Sequence, residues 1–185
     1  MKNELYSNLK FDLTRVQQKT NLFDFVNAIL FNHSCKYLLW FRIGNFFRNS
    51  TIFKPIYIIA LIYIRRLSHK YNMRIPIKTK ICKGLLARFF SIVISEDSII
   101  GNHVTIFNGV TIGTERGDTN SGYPIVGNEV VIATGAKIIG NIRIGNHVFV
   151  GANAVVAKDI PDNTVVVGIL AKILNINGVE KTSFY

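Results

Sequence analysis

Residues 131–168 read VIATGAKIIGNIRIGNHVFVGANAVVAKDIPDNTVVVG, and residues 99–113 read IIGNHVTIFNGVTIG. Stepping by six from Ile94 gives Ile94, Ile100, Ile106 and Ile112. Stepping by six from Val126 gives Val126, Ile132, Ile138, Ile144, Val150 and Val156. Four places after a stepping residue stands a small or aliphatic one, as at Val104, Val110, Val130, Ala136, Ile142, Val148 and Ala154. Glycine follows the stepping residue at Gly101, Gly113, Gly127, Gly145 and Gly151. Apolar residues three and four apart would mark a helix, and strict alternation would mark a sandwich strand. A six-residue period marks a parallel β-helix, in which three hexapeptides close one triangular coil of about 18 residues. The stepping residue points into the prism and stacks on its counterpart in the next coil, giving a quasi-one-dimensional solenoid. Gly and Asn are expected to supply turn angles that β-branched residues resist.

The phase breaks between Ile112 and Val126, 14 residues apart instead of a multiple of six. Residues 114–122, TERGDTNSG, are polar and rich in turn formers, so a loop over 114–124 is expected to leave the coil. Loops projecting from a rigid scaffold often carry binding or catalysis. A second irregularity lies upstream. Ile75 and Ile81 predict stepping residues at 87 and 93, whereas the later series uses 94, so the coil around 82–91 is expected to be altered.

The 185 residues are 49% hydrophobic and 18% charged, which excludes a disordered chain. Residues 1–80 hold 14 Lys and Arg against 3 Asp and Glu, whereas residues 81–185 hold 8 of each. The basic, aromatic half and the neutral, aliphatic half therefore have different tasks. Two cysteines, Cys35 and Cys82, form no disulfide framework and have no metal-ligand spacing, so a reducing compartment and no metal are expected. The polar N-terminus lacks the apolar run of a signal peptide, so secretion is not expected.

The basic half reads as helical. Leu5, Leu9, Leu13 and Val16 recur at helical spacing, as do Phe23, Val26, Ile29 and Leu30, with Asn21 placed to cap the latter and Asp24 in its first turn. YLLWFRIGNFFR (37–48) and PIYIIALIYI (55–64) follow, and Pro55 suits a first helical turn. The second run is ten residues, where a membrane span needs about 20. Its aromatics, flanked by Arg48, Lys54, Arg65, Arg66 and Lys70, have the composition of an interfacial anchor. Two roles stand open for residues 37–70: a cap packed on the prism, or peripheral contact at the inner face of a membrane. The expected location is cytoplasmic in either case. No helix-turn-helix, zinc or ribonucleoprotein motif accompanies the charge, so no nucleic acid partner is expected.

Taken with Ala171-Lys172, the two quoted stretches resemble the hexapeptide-repeat acyltransferases. They are most similar to the serine acetyltransferase-like branch, which includes O-acetyltransferases of surface polysaccharides. The resemblance covers residues 75–175. It implies a mainly β fold, a left-handed β-helix over 75–170 with an N-terminal α-helical cap over 1–74 and a C-terminal tail over 171–185. It also implies a homotrimer with acetyl-CoA between neighbouring prisms. In that family a histidine acts as general base for the acceptor hydroxyl, and backbone N–H groups stabilise the oxyanion.

By this resemblance the donor site comprises Gly113 and Thr114 at the loop, Thr134 and Ala152 along the pantetheine channel, and Lys172 facing a CoA phosphate. The family's catalytic histidine precedes an Ile-Val-Ile run, here Ile92-Val93-Ile94, and falls on Arg88 of ARFFS (87–91). Arginine remains protonated and cannot take a proton from a hydroxyl. A neighbouring aspartate falls on Ala87, a second histidine on Tyr123, a substrate-binding position, and the arginine before it on Gly122. Those groups would grip the charged ends of an amino acid. His103 and His147 occupy equivalent turns, and His103 is the nearer of the two to the altered coil and so a candidate base; His33 and His69 lie in the basic half. Three functions are therefore expected to compete: O-acetylation of a saccharide hydroxyl, O-acetylation of L-serine, and a catalytically degenerate scaffold.

Overall fold

A computed structural model describes residues 2–17, 32–88, 90–114 and 122–175. The expected helical segment around Phe23–Leu30 and residues 115–121 of the loop lie outside the described residues. Among the described residues, three helices precede the strands: α1 (Lys2–Gln17), α2 (His33–Phe47) and α3 (Lys54–Tyr71). Asn32 caps α2, its side chain accepting from the amides of Ser34 and Cys35. Pro55 sits in the first turn of α3, and Asn72 ends the helix at φ 50°. The helix runs well past the apolar stretch 55–64 because Leu67 and Tyr71 continue its inner face.

Among the described residues, fourteen short strands then wind into a left-handed parallel β-helix. They run β1 (Lys80–Ile81), β2 (Leu86–Ala87), β3 (Val93–Ile94), β4 (Ile99–Ile100), β5 (Thr105–Ile106), β6 (Thr111–Gly113), β7 (Ile125–Val126), β8 (Val131–Ile132), β9 (Lys137–Ile139), β10 (Arg143–Ile144), β11 (Phe149–Val150), β12 (Val155–Val156), β13 (Val165–Val167) and β14 (Lys172–Asn175). Sheet one is β1-β4-β7-β10, sheet two is β2-β5-β8-β11-β13-β14, and sheet three is β3-β6-β9-β12. All pairs are parallel except β13 with β14. Part of the stretch expected as a tail is therefore a strand.

Register confirms the stepping series. Ile100 pairs with Val126 and Val126 with Ile144 in sheet one, Ile106 with Ile132 and Ile132 with Val150 in sheet two, and Ile112 with Ile138 and Ile138 with Val156 in sheet three. All are buried, as are Val104, Val110, Val130, Ala136 and Val148 at the corners. Removing this column of aliphatic surface from water is what holds the coils together.

The glycines act differently from the expectation. Those after the stepping residues do not supply unusual angles; positive φ falls two residues later, at His103, Glu129, His147 and Asn153. What these glycines provide is closeness. A Cβ on Gly127 would lie 2.6 Å from the carbonyl oxygen of Gly145 in the next coil. The turn just beyond them is tied by a ladder of amides: Asn102 donates to Asn128 Oδ1, Asn128 to Asn146 Oδ1, and the Asn146 amide to Asp162 Oδ1 at 2.8 Å.

The helices close the upper end of the prism. Buried Asp12 of α1 accepts from Arg42 Nε of α2 at 2.8 Å and from the amides of Gly84 (2.7 Å) and Leu85 (3.0 Å). Arg42 also donates to the carbonyls of Ile81 and Cys82, both at 2.6 Å, and Arg15 donates to the Gly84 carbonyl at 2.8 Å. Tyr37, Phe41, Ile64, Tyr71 and Met73 join the prism interior in one apolar core.

Candidate active site

The chain turns from sheet two to sheet three at one corner of each coil, and these corners stack. Arg88 N donates to Ile106 O, Phe107 N to Ile132 O, Ala133 N to Val150 O, and Gly151 N to Val166 O. Arg88, Thr134 and Ala152 all lie on this column and are exposed. Lys172 is paired with Val167, the strand residue just below Gly151, so it continues the same column. With about 4.8 Å between neighbouring strands and five such spacings from β2 to β14, Arg88 and Lys172 stand roughly 24 Å apart along it. Below Phe107, which underlies Arg88, the corner residues Ala133, Thr134, Gly151 and Ala152 carry small side chains. Thr134 donates to Asn108 Oδ1 at 3.1 Å, and Gly135 follows at φ 74°. A strip of this kind suits an extended, thin ligand with an anionic end near Lys172.

The upper end of the strip is the irregular corner. The expected alteration over 82–91 is narrower than its sequence range: β2 pairs with β5 in register, so the coil is regular through Ala87. Four residues, 88–91, then separate buried Ala87 from buried Ile92, whereas three, 107–109, separate Ile106 from Val110 below. The additional residue moves the stepping position to 94. Ala87 is 2% exposed, so a carboxylate there would face the prism interior; groups that grip an acceptor must come from 88 onward. The Arg88 guanidinium lies 5.8 Å from the Phe107 ring centroid.

The helices fix this corner. Tyr71 O accepts from Ser91 N at 3.2 Å, Asn72 donates to Ser91 Oγ at 3.2 Å, and Phe90 stacks on Tyr71 with centroids 5.4 Å apart. The Tyr71 hydroxyl hydrogen-bonds to His33 Nδ1 at 2.7 Å, and the His33 ring lies 6.0 Å from Phe90. His33 is exposed while Tyr71 is buried. When Nδ1–H donates to the phenol oxygen, Nε2 retains a lone pair and can accept a proton. Sequence reasoning placed His33 only in the basic half. The signal that could have singled it out is Asn32, which starts α2 and fixes where His33 sits, but its partner is 38 residues away.

The other expected residues lie on other columns. Gly113 ends β6, Thr114 follows it, and Tyr123, 38% exposed, precedes β7, so these three flank the loop where sheet three turns to sheet one. His103 belongs to the corners between sheets one and two, half-buried at φ 56°, with its ring 5.7 Å from Phe11 of α1. Within one chain it does not share the column of Arg88. His147 lies on the same column as His103, 3.5 Å from Glu129. Burial pushes the Cys35 thiol up to about 12, which removes it as a nucleophile. Among the described residues no group of His, Cys, Asp and Glu could hold a metal ion.

Comparison with known proteins agrees with this architecture. Residues 123–158 match the family described as bacterial transferase hexapeptide (six repeats). A serine acetyltransferase of Staphylococcus aureus is 43% identical over 89 residues, which take in 48% of this chain and 42% of that protein. The chain thus matches less than half the length of that curated relative. Among solved structures, soybean serine acetyltransferase complexed with serine superposes with a TM-score of 0.79 at 27% identity, covering 93% of this chain and 70% of the other. A serine acetyltransferase in complex with CoA superposes with a TM-score of 0.75 at 26% identity, covering 93% and 70%. By repeat, fold and relatives, the chain is similar to the hexapeptide-repeat transferases, and within them to the serine acetyltransferases.

Proposed function

We propose that the chain is an acetyl-CoA-dependent O-acetyltransferase. The observation that carries this reading is the single column of Arg88, Thr134, Ala152 and Lys172, with small residues at Ala133, Thr134, Gly151 and Ala152 and a cation at its lower end. Lys172 would meet a phosphate of the donor, and Thr134 and Ala152 would let the pantetheine arm approach the backbone. His33, oriented by Tyr71, would take the proton of the acceptor hydroxyl as its oxygen attacks the thioester carbonyl. The imidazolium would return that proton to the departing sulfur as the C–S bond breaks, so the products are an acetyl ester and a free thiol. Arg88, protonated throughout, would stabilise the oxyanion of the tetrahedral intermediate. A trimer with the donor between neighbouring prisms, which would let the loop residues Gly113, Thr114 and Tyr123 face a neighbour's column, belongs to this proposal.

The names of the relatives favour the hydroxyl of L-serine as acceptor. A specific observation favours a second acceptor, a saccharide hydroxyl of a surface polysaccharide. Gly122 and Tyr123 stand where family members are expected to hold the charged ends of an amino acid, and the described residues of the 88–91 corner offer no carboxylate. Thiol release from acetyl-CoA, measured with L-serine and with purified surface polysaccharide, decides between them. Release with neither, under conditions where CoA raises the melting temperature, would leave the scaffold role. For His33→Gln the expected outcome is a loss of about 100-fold or more in kcat with CoA binding retained. An unchanged kcat would remove His33 from the mechanism.

A further inference from the structure

The outward face of α3 is apolar where a surface helix is ordinarily polar. Ala60, Ile64 and Tyr71 turn inward and are buried. The opposite side carries Ile56, Ile58, Ile59 and Ile62, each between 37% and 48% exposed, and the turn before the helix adds Ile52 at 82% and Phe53 at 48%. Ile56, Ile59 and Ile62 follow helical spacing along α3, so they form one stripe, and Ile52 stands exposed in the turn before it. Farther along, the exposed residues become Arg65, Arg66, His69 and Lys70. A contiguous apolar patch rimmed by charge marks an interaction surface.

Charge selects the occupant. Residues 32–80 contain ten Lys and Arg and no Asp or Glu. Arg42 is committed to Asp12 and Lys78 to Glu96. A second copy of the same face would bring like charges together. Residues 81–185 hold eight basic and eight acidic residues and offer no excess of negative charge to meet it. An anionic lipid surface satisfies both halves of the face, with isoleucines at the acyl boundary and cations at the phosphates. Trp40 and Tyr63, stacked at 4.4 Å, supply the ring type enriched at that depth. Among the described residues no helix is long and apolar enough to cross a membrane.

We propose that α3 lies in the plane of an anionic bilayer surface, with Ile52, Ile56, Ile59 and Ile62 inserted and Arg65, Arg66 and Lys70 on the headgroups. This assignment is independent of the acceptor. The test sediments the full chain with phosphatidylcholine vesicles containing about one-third phosphatidylglycerol, and with phosphatidylcholine alone, at low and at physiological salt. Binding is expected to the anionic vesicles, at least about tenfold weaker to the neutral ones, and reduced by salt. The double variant Ile59→Glu, Ile62→Glu is expected to lose binding while its melting temperature and its size in solution are unchanged. Arg65→Gln with Arg66→Gln, both exposed and without a role in packing, is expected to weaken binding about twentyfold. No binding by the parent chain, equal binding to both vesicles, or unaltered binding by both variants would overturn the proposal. A smaller assembly in the glutamate variant would reassign the face to contact between chains.

Discussion

The prism and the helices above it are held by opposite means. In the prism, side chains of two residue types stack on copies of themselves, and backbone groups find partners one coil away. At the joint, one buried carboxylate on α1 gathers a guanidinium from α2 and two adjacent amides from the first coil. The first arrangement is redundant, because each coil repeats the last. The second is singular, because nothing else in the described residues substitutes for Asp12. Redundant packing spreads the effect of damage over its neighbours, whereas a singular polar joint concentrates it.

Breaking the joint has the largest expected effect. Asp12→Ala strands a buried Arg42 and two amides, and should lower stability by about 3–5 kcal/mol, measured by denaturant unfolding. Hydrogen exchange should show the Gly84 and Leu85 amides losing protection first, with the lower coils retaining theirs. Next comes Ile132→Ala, which opens a cavity between Ile106 and Val150 and should cost about 3 kcal/mol, with the protection loss centred on its own coil. Gly127→Ala, forcing a Cβ against the backbone of Gly145, should cost about 2 kcal/mol. Its melting curve separates close approach from turn geometry: a neutral effect would mean that the coils yield.

The two regions also differ in the sign of their response to acid. Burial raises Asp12 above its ordinary 3.8, outweighing the pull of Arg42 and the amides. Asp12 therefore binds its proton more tightly when folded, and its contribution to stability is fully present below 3.8 and lost as pH rises through the raised value. The hydrogen bonds from Asn146 lower Asp162 below 3.8, so its contribution is present above 3.8 and lost as pH falls through the folded value. Unfolding of Asp12→Asn and Asp162→Asn against the parent chain across acid pH should show opposite slopes. The smallest effect is expected within the ladder, where Asn128→Ala should cost about 1 kcal/mol in a chemical melt.

The same contrast explains what could be read from the chain. Ile106, Ile132 and Val150 were legible as stacked neighbours because a fixed period translates directly into register. The gap between β6 and β7 was legible because a broken period locates an insertion. The partnership of His33 with Tyr71, and of Asp12 with Arg42, has no period: each joins residues at least 30 positions apart through single polar atoms. The order of corner residues was legible, but their assignment to three separate columns was not, since it depends on which side of the prism each turn occupies. That is why His103, nearest to Arg88 in the sequence stepping, proves to belong to a different column, under Phe11.

A parallel stack has no natural last rung, and the amides of its final coil offer themselves to any chain of similar pitch. Here β14 reverses and runs antiparallel against β13, with a register shift at Val165 and Val166. The turnaround occupies the terminal strand of sheet two with a partner of opposite direction. The edge of β13 is thereby taken, so a further coil of parallel strands cannot pair with it directly.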